Sequence, residues 1–131
     1  MAQAFAGVWK IQKIEGAEEY FNAIGHAEMA KDIANITEIE VQVDGKTVTT
    51  ISKFEGKDNK VDIVVLDETT EKEGPDGVKI VSKAYMDGAT FRQEGSAGND
   101  NWKVIRYIQD GASISEIIAK GTTLKITMVK A

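Results

Sequence analysis

This 131-residue chain has no cysteine, one proline and one histidine. Without cysteine there is no disulfide framework, no thiolate nucleophile and no cysteine-based metal site, and a reducing compartment suits the chain. The lone histidine, His26, falls in a Gly25-His26 turn. No serine has a histidine beside it in sequence, and there is no Gly-x-Ser-x-Gly element, so nothing points to acyl-transfer chemistry. Acidic residues fall in loops, without metal-ligand spacing. No apolar run approaches the roughly 20 residues of a membrane-spanning helix. The start, Met1-Ala2-Gln3-Ala4-Phe5, lacks the basic and apolar regions of a secretory signal. A formal net charge of -5 with both signs interspersed leaves no basic stripe, and nucleic acid is excluded as an expected partner. The expected location is the cytoplasm.

What is present is glycine: 12 residues, many in tight-turn dipeptides. Asp-Gly occurs four times, at Asp44-Gly45, Asp76-Gly77, Asp87-Gly88 and Asp110-Gly111. Strand-like runs separate these turns. Ile39, Val41 and Val43 alternate with Glu38, Glu40 and Gln42. Further strands are expected over 5–14, 47–54, 60–66, 78–86, 89–94, 102–109, 112–119 and 122–129. Turns are expected at 57–59 and at the Pro75 loop tip, and 95–100 reads as a flexible loop. Between the first strand and the rest the period changes. Tyr20, Phe21 and Ile24 share a helical face with acids in the first turn, and Gly25 is a helix stop. A second short helix is expected over 27–35, its stripe being Met29, Ile33 and Ile36 beside Ala30. Two helices this short need an apolar surface to lie on. The pattern predicts one all-β domain over 1–131, a closed antiparallel up-and-down barrel of about ten strands with a helix-turn-helix lid.

Alternation groups the strand residues. Trp102, Val104, Arg106 and Ile108 share one face of their strand, and Lys103, Ile105, Tyr107 and Gln109 the other. Periodicity alone does not choose which face points inward. Val48, Thr50, Ser52 and Phe54 share a face, as do Val61, Ile63 and Val65, then Phe91 and Gln93, then Ser115 and Ile117. A fully packed core disfavours Thr50, Ser52, Gln93 and Ser115, whereas a watered cavity accepts them. Leu124, Ile126 and Met128 share a face of the last strand, opposite Lys125 and Thr127.

The opening Phe5-Ala6-Gly7-Val8-Trp9-Lys10-Ile11, with Glu19-Tyr20-Phe21, Ile24-Gly25, Asp87-Gly88 and the closing 121–131 segment, resembles the intracellular lipid-binding proteins. That is the family of the fatty-acid-binding and cellular retinoid-binding proteins, a calycin-like fold, and the resemblance runs the length of the chain. Ala17 departs from the family's usual aromatic, and Phe21 from its frequent aliphatic. The resemblance implies a clam-like barrel with ligand held inside, and it turns Arg106 inward to meet a carboxylate. It also implies that Ile126 and Met128 replace an arginine and a tyrosine that clamp the carboxylate in several members. Tyr20, Phe21, Met29, Ala30, Ile33 and Phe54 are expected at the lid and mouth. Ile39, Thr50, Ser52, Ile63, Phe91, Gln93, Trp102, Val104, Ser115, Ile117, Ile126 and Met128 are expected on the ligand wall.

The implied function is a non-enzymatic, monomeric carrier of a long-chain fatty acid or similar apolar carboxylate. It needs no cofactor, and its lid makes transient membrane contact. Other readings are a bulkier ligand (retinoid, bile acid or bilin) in the same fold, or a barrel enzyme acting on a hydrophobic substrate. A lipocalin also opens on Gly-x-Trp but generally carries a signal peptide and lacks the helical pair.

Overall fold

The computed structural model describes residues 2–74 and 77–131; the tip of the expected Pro75 loop, with Pro75 and Asp76, lies outside the described residues. A 3-10 helix over Ala2–Phe5 leads into β1 (Gly7–Glu15), α1 (Ala17–Ala23) and α2 (Met29–Ile33). The remaining strands are β2 (Ile36–Asp44), β3 (Thr47–Phe54), β4 (Lys57–Val65), β5 (Thr69–Glu73), β6 (Lys79–Asp87), β7 (Thr90–Ala97), β8 (Asp100–Gln109), β9 (Ala112–Ala119) and β10 (Thr122–Lys130). They form one ten-stranded sheet ordered β4-β3-β2-β1-β10-β9-β8-β7-β6-β5. Every ladder is antiparallel, and β1 pairs β10 with Trp9 opposite Lys130. The barrel is hydrogen-bonded all round except at one seam, where β4 and β5 stand as sheet edges. Lys72 Nζ donates to Asp62 Oδ1 across that seam at 2.9 Å.

The glycines set two local features. Gly16 has φ 76, and a Cβ there would meet the Thr123 carbonyl at 2.3 Å, so only glycine lets β1 turn into α1 against β10. Gly95 lies inside β7, not in a loop; the expected 95–100 loop reduces to a tight turn about Gly98-Asn99. A Cβ on Gly95 would stand 2.6 Å from the Val81 carbonyl oxygen and 2.7 Å from Trp102 Cζ2. The missing side chain is the space the Trp102 ring uses. Gly95→Ala is expected to cost about 1–3 kcal/mol of stability through overpacking and to shift Trp102 emission. Denaturant titration followed by fluorescence checks it; a variant unchanged in both would place the indole elsewhere.

Other boundaries move by a few residues. The turn expected at 57–59 falls at Glu55-Gly56, and the second helix is shorter than expected. Strand β5, polar throughout, had no apolar alternation to announce it. Tyr20 and Phe21 are buried and meet edge to face, with ring centroids 5.1 Å apart. They anchor α1, while Met29, Ala30 and Ile33 pack on the same core from α2. Asn35 accepts a backbone hydrogen bond from Glu55, and Asp32 is ion-paired to Lys57, so α2 is tied to the β3–β4 turn. Below the sheet's apolar lining, Trp9 is buried and its indole N–H donates to the Phe5 carbonyl at 2.8 Å. No helix among the described residues is long and apolar enough to cross a membrane.

Candidate functional site

Register fixes the inner face. Val41 and Val48 are buried, and residues directly opposite each other across a ladder share a face. Phe91, Arg106, Ser115, Ile126 and Ile14 form one row from β7 to β1. The next row runs Gln93, Val104, Ile117 and Leu124, and the one after it Gly95, Trp102 and Ala119. Arg106 therefore sits in the middle of the inner wall, four residues from Trp102, or about 13 Å along β8.

The guanidinium is enclosed by its surroundings. Its Nε donates to Ser115 Oγ at 2.9 Å, and its central carbon lies 5.6 Å from the Phe91 ring centroid. Burial pulls its pKa below the ordinary arginine range, and the charge of Asp62 partly restores it. Among the described residues no carboxylate is within ion-pair distance of it. None of them leaves a sealed polar side-chain atom without a partner either. The terminal N–H groups of Arg106, which meet no acceptor among the described residues, therefore open onto accessible space. An arginine in that condition can take an anionic oxygen through charge-assisted hydrogen bonds.

The other half of the inner face is more polar. Ile39, Ser52 and Lys60 form one row across β2, β3 and β4, and Val41, Thr50 and Asp62 another. Nearer the seam, Gln93 donates to Ser82 Oγ at 3.3 Å, and Thr70 Oγ1 lies 3.4 Å from the same oxygen. Ser82, Thr70, Asp62 and Lys72 were not anticipated; Asp62 and Lys72 read as ordinary surface charges in a solvated pattern.

Two expectations for the wall need correcting. Ile63 is not on it. Val64 pairs with buried Val48 and is itself buried, so Asp62 points in while Ile63 points out and is 61% exposed. Val64 and Leu66 are both buried in the interior, and the period of two then sends Ile63 outside. Met128 does face inward, but at 1% exposure it is sealed in packing and presents no surface to open space. Phe21 is likewise core, not rim. Phe54 is half-buried at the end of β3, with Lys60 Nζ 5.7 Å from its ring centroid. A cavity of about 260 Å³ opens under the helical lid instead, between Tyr20, Ile24 and His26 on one side and Trp102, Ala97 and Ala119 on the other. Tyr20 edges it, its hydroxyl pKa raised by burial.

No protein-family model matches the sequence. Solved structures do match in shape over the length of the chain. A "REP1-NXSQ fatty acid transporter" aligns at TM-score 0.85 with 20% identity, covering 99% of this chain and 98% of that one. Apo lipid binding protein 8 (LBP-8) of Caenorhabditis elegans aligns at TM-score 0.87 with 18% identity, covering 100% and 98%. The fluorescent protein UnaG aligns at TM-score 0.84 with 22% identity, covering 100% of both. This chain has the intracellular lipid-binding protein fold. Its α1 packs chiefly on β10. The row holding Arg106 crosses the inner wall of the barrel, with Trp102 between it and the cavity under α1.

Proposed function

We propose that this protein is a non-enzymatic carrier that takes a long-chain fatty acid, or a similar apolar acid, into its barrel. The carboxylate lies at Arg106, and the chain runs past Val104 and Ile117 toward Trp102 and the space under α1. The observation that carries this reading is Arg106 itself, an inward arginine whose terminal N–H groups have no acceptor among the described residues. Inside a barrel that charge is costly until an anion meets it. The apolar residues beside it supply the rest, since each buried methylene contributes about 0.8 kcal/mol and a long chain outweighs one polar contact. In this reading the protein acts as a cytoplasmic monomer, and the lid makes the transient membrane contacts of delivery. A bulkier apolar ligand such as a retinoid, bile acid or bilin is the second reading. Polar groups on both halves of the wall, Thr50 and Ser52 as well as Gln93 and Ser115, favour it.

Delipidated protein titrated with oleate tests the proposal, with Trp9→Phe and Trp102→Phe variants separating the two reporters. The indole of Trp102 lines the cavity under the lid, whereas that of Trp9 is buried and hydrogen-bonded. Emission from Trp102 is expected to change on binding while Trp9 stays silent. A response from Trp9 alone would reverse the assignment of the wall. Native mass spectrometry that finds no adduct with oleate, retinoid or bile acid would remove the carrier function.

A further inference from the structure

Strand β4 is inside out. Its apolar Val61 and Ile63 are 59% and 61% exposed, while a carboxylate, Asp62, takes the inner position between them. Locally that arrangement is unfavourable, because two β-branched side chains gain nothing from burial and a charge is turned toward a ligand space. Places where a chain breaks its own pattern are where function or strain resides. We infer that Asp62 is a specificity-determining residue, an acid built into the wall that holds down the affinity for a plain anionic head group and so favours neutral or donor-bearing ones. The inference rests on the carrier reading above.

The seam supplies the geometry. Lys72 is on the inner face of β5: its ladder partner is Ile80, and Thr70, two residues away, reaches Ser82 inside. Its ammonium meets Asp62 at 2.9 Å, the two side chains being 63% and 51% exposed. The pair is thus hydrated and open to competition. Three charges then act on a ligand head group: Arg106 and Lys72 attract an anion and Asp62 repels it. The field of Asp62 reaches Arg106, where it opposes the effect of burial. A neutral head group feels little of this balance, and a hydroxyl can donate to Asp62 directly. Arg106 without Asp62 would select acids more sharply than this barrel does.

The test compares oleate with oleyl alcohol on wild type and on Asp62→Asn. The substitution keeps shape and hydrogen bonding but removes the negative charge, which also frees Lys72. Oleate is expected to bind about three- to tenfold more tightly to Asp62→Asn, the size expected of one partly hydrated charge. The alcohol should stay within about twofold, and the gain should shrink in high salt as screening grows. Lys72→Met should move oleate the opposite way. An unchanged unfolding midpoint checks that Asp62→Asn keeps the fold; if it does not, Lys72→Met carries the same discrimination between the two ligands. Oleate and alcohol shifting together, or oleate not shifting, overturns the inference while leaving the carrier intact. A wild-type protein that binds neither ligand sinks the carrier reading, and this one with it.

Discussion

Arg106→Ala is expected to weaken oleate binding by about ten- to a hundredfold, the loss of a charge-assisted hydrogen bond of about 1.5–3 kcal/mol. Methyl oleate should lose little, because it offers no charge to the guanidinium and its chain contacts persist. The comparison matters more than either value. Alanine also removes the packing on Phe91 and the partner of Ser115, and a merely structural effect would weaken both ligands alike. Isothermal titration of both ligands on both proteins reads the difference. Equal losses would take Arg106 out of the head-group site and leave the barrel holding its ligand by apolar contact alone.

The largest effect on folding is expected from Ile126→Arg. This position is buried, and it shares a row with Ser115 and Ile14, two strands from Arg106 and so about 10 Å away. An arginine there brings a second enclosed cation with no carboxylate beside it. The cost should be about 3–5 kcal/mol, the range for a buried charge left without a partner. Oleate should recover part of it, so the rise in unfolding temperature on adding oleate should exceed that of the wild type. Urea unfolding with and without ligand measures both. A variant as stable as wild type without ligand would mean that this wall opens to water, and that the arginine is hydrated in a cavity reaching β10.

The sequence made the barrel and its lid readable because each level agreed. Asp-Gly turns, alternation and a single helical interruption all pointed one way, and the Tyr20, Phe21 and Ile24 spacing located α1 well. Arg106 was harder. Alternation grouped it with Trp102 and Val104 but left two faces open, and only the family resemblance chose the inner one. Ile63 was misplaced for a physical reason. The run Ile63-Val64-Val65-Leu66 is apolar on both faces, so its own pattern carries no parity; the pairing of Val64 with buried Val48 on the neighbouring strand decides it, and that register is not written in the run itself. Asp62 and Lys72 were invisible for related reasons: Asp62 alternates with Val61 and Ile63 and so reads as the outer face, and Lys72, between Glu71 and Glu73, looks like surface until the seam brings the two together. Gly95 was lost among Ser96, Ala97 and Gly98, a composition typical of loops, although its role is to make room for a ring on the neighbouring strand.

The course of the chain and the course of the hydrogen bonds are out of step, and this has a consequence for how the molecule assembles. Between β4 and β5 the chain is continuous while the ladder is broken; between β10 and β1 the ladder is continuous, though those strands stand more than a hundred residues apart. The other ladders join strands that follow one another in sequence, so two meanders, β1–β4 and β5–β10, can each zip up from their own turns. Uniting them depends on the β1–β10 ladder, the least local in the sheet, whose loop-closure entropy must be met before it gives anything back. That ladder is the clasp of the ring. Pulse-labelled hydrogen exchange during refolding should then report the docking of two preformed sheets, with amides inside each meander gaining protection first and those of the β1–β10 clasp last.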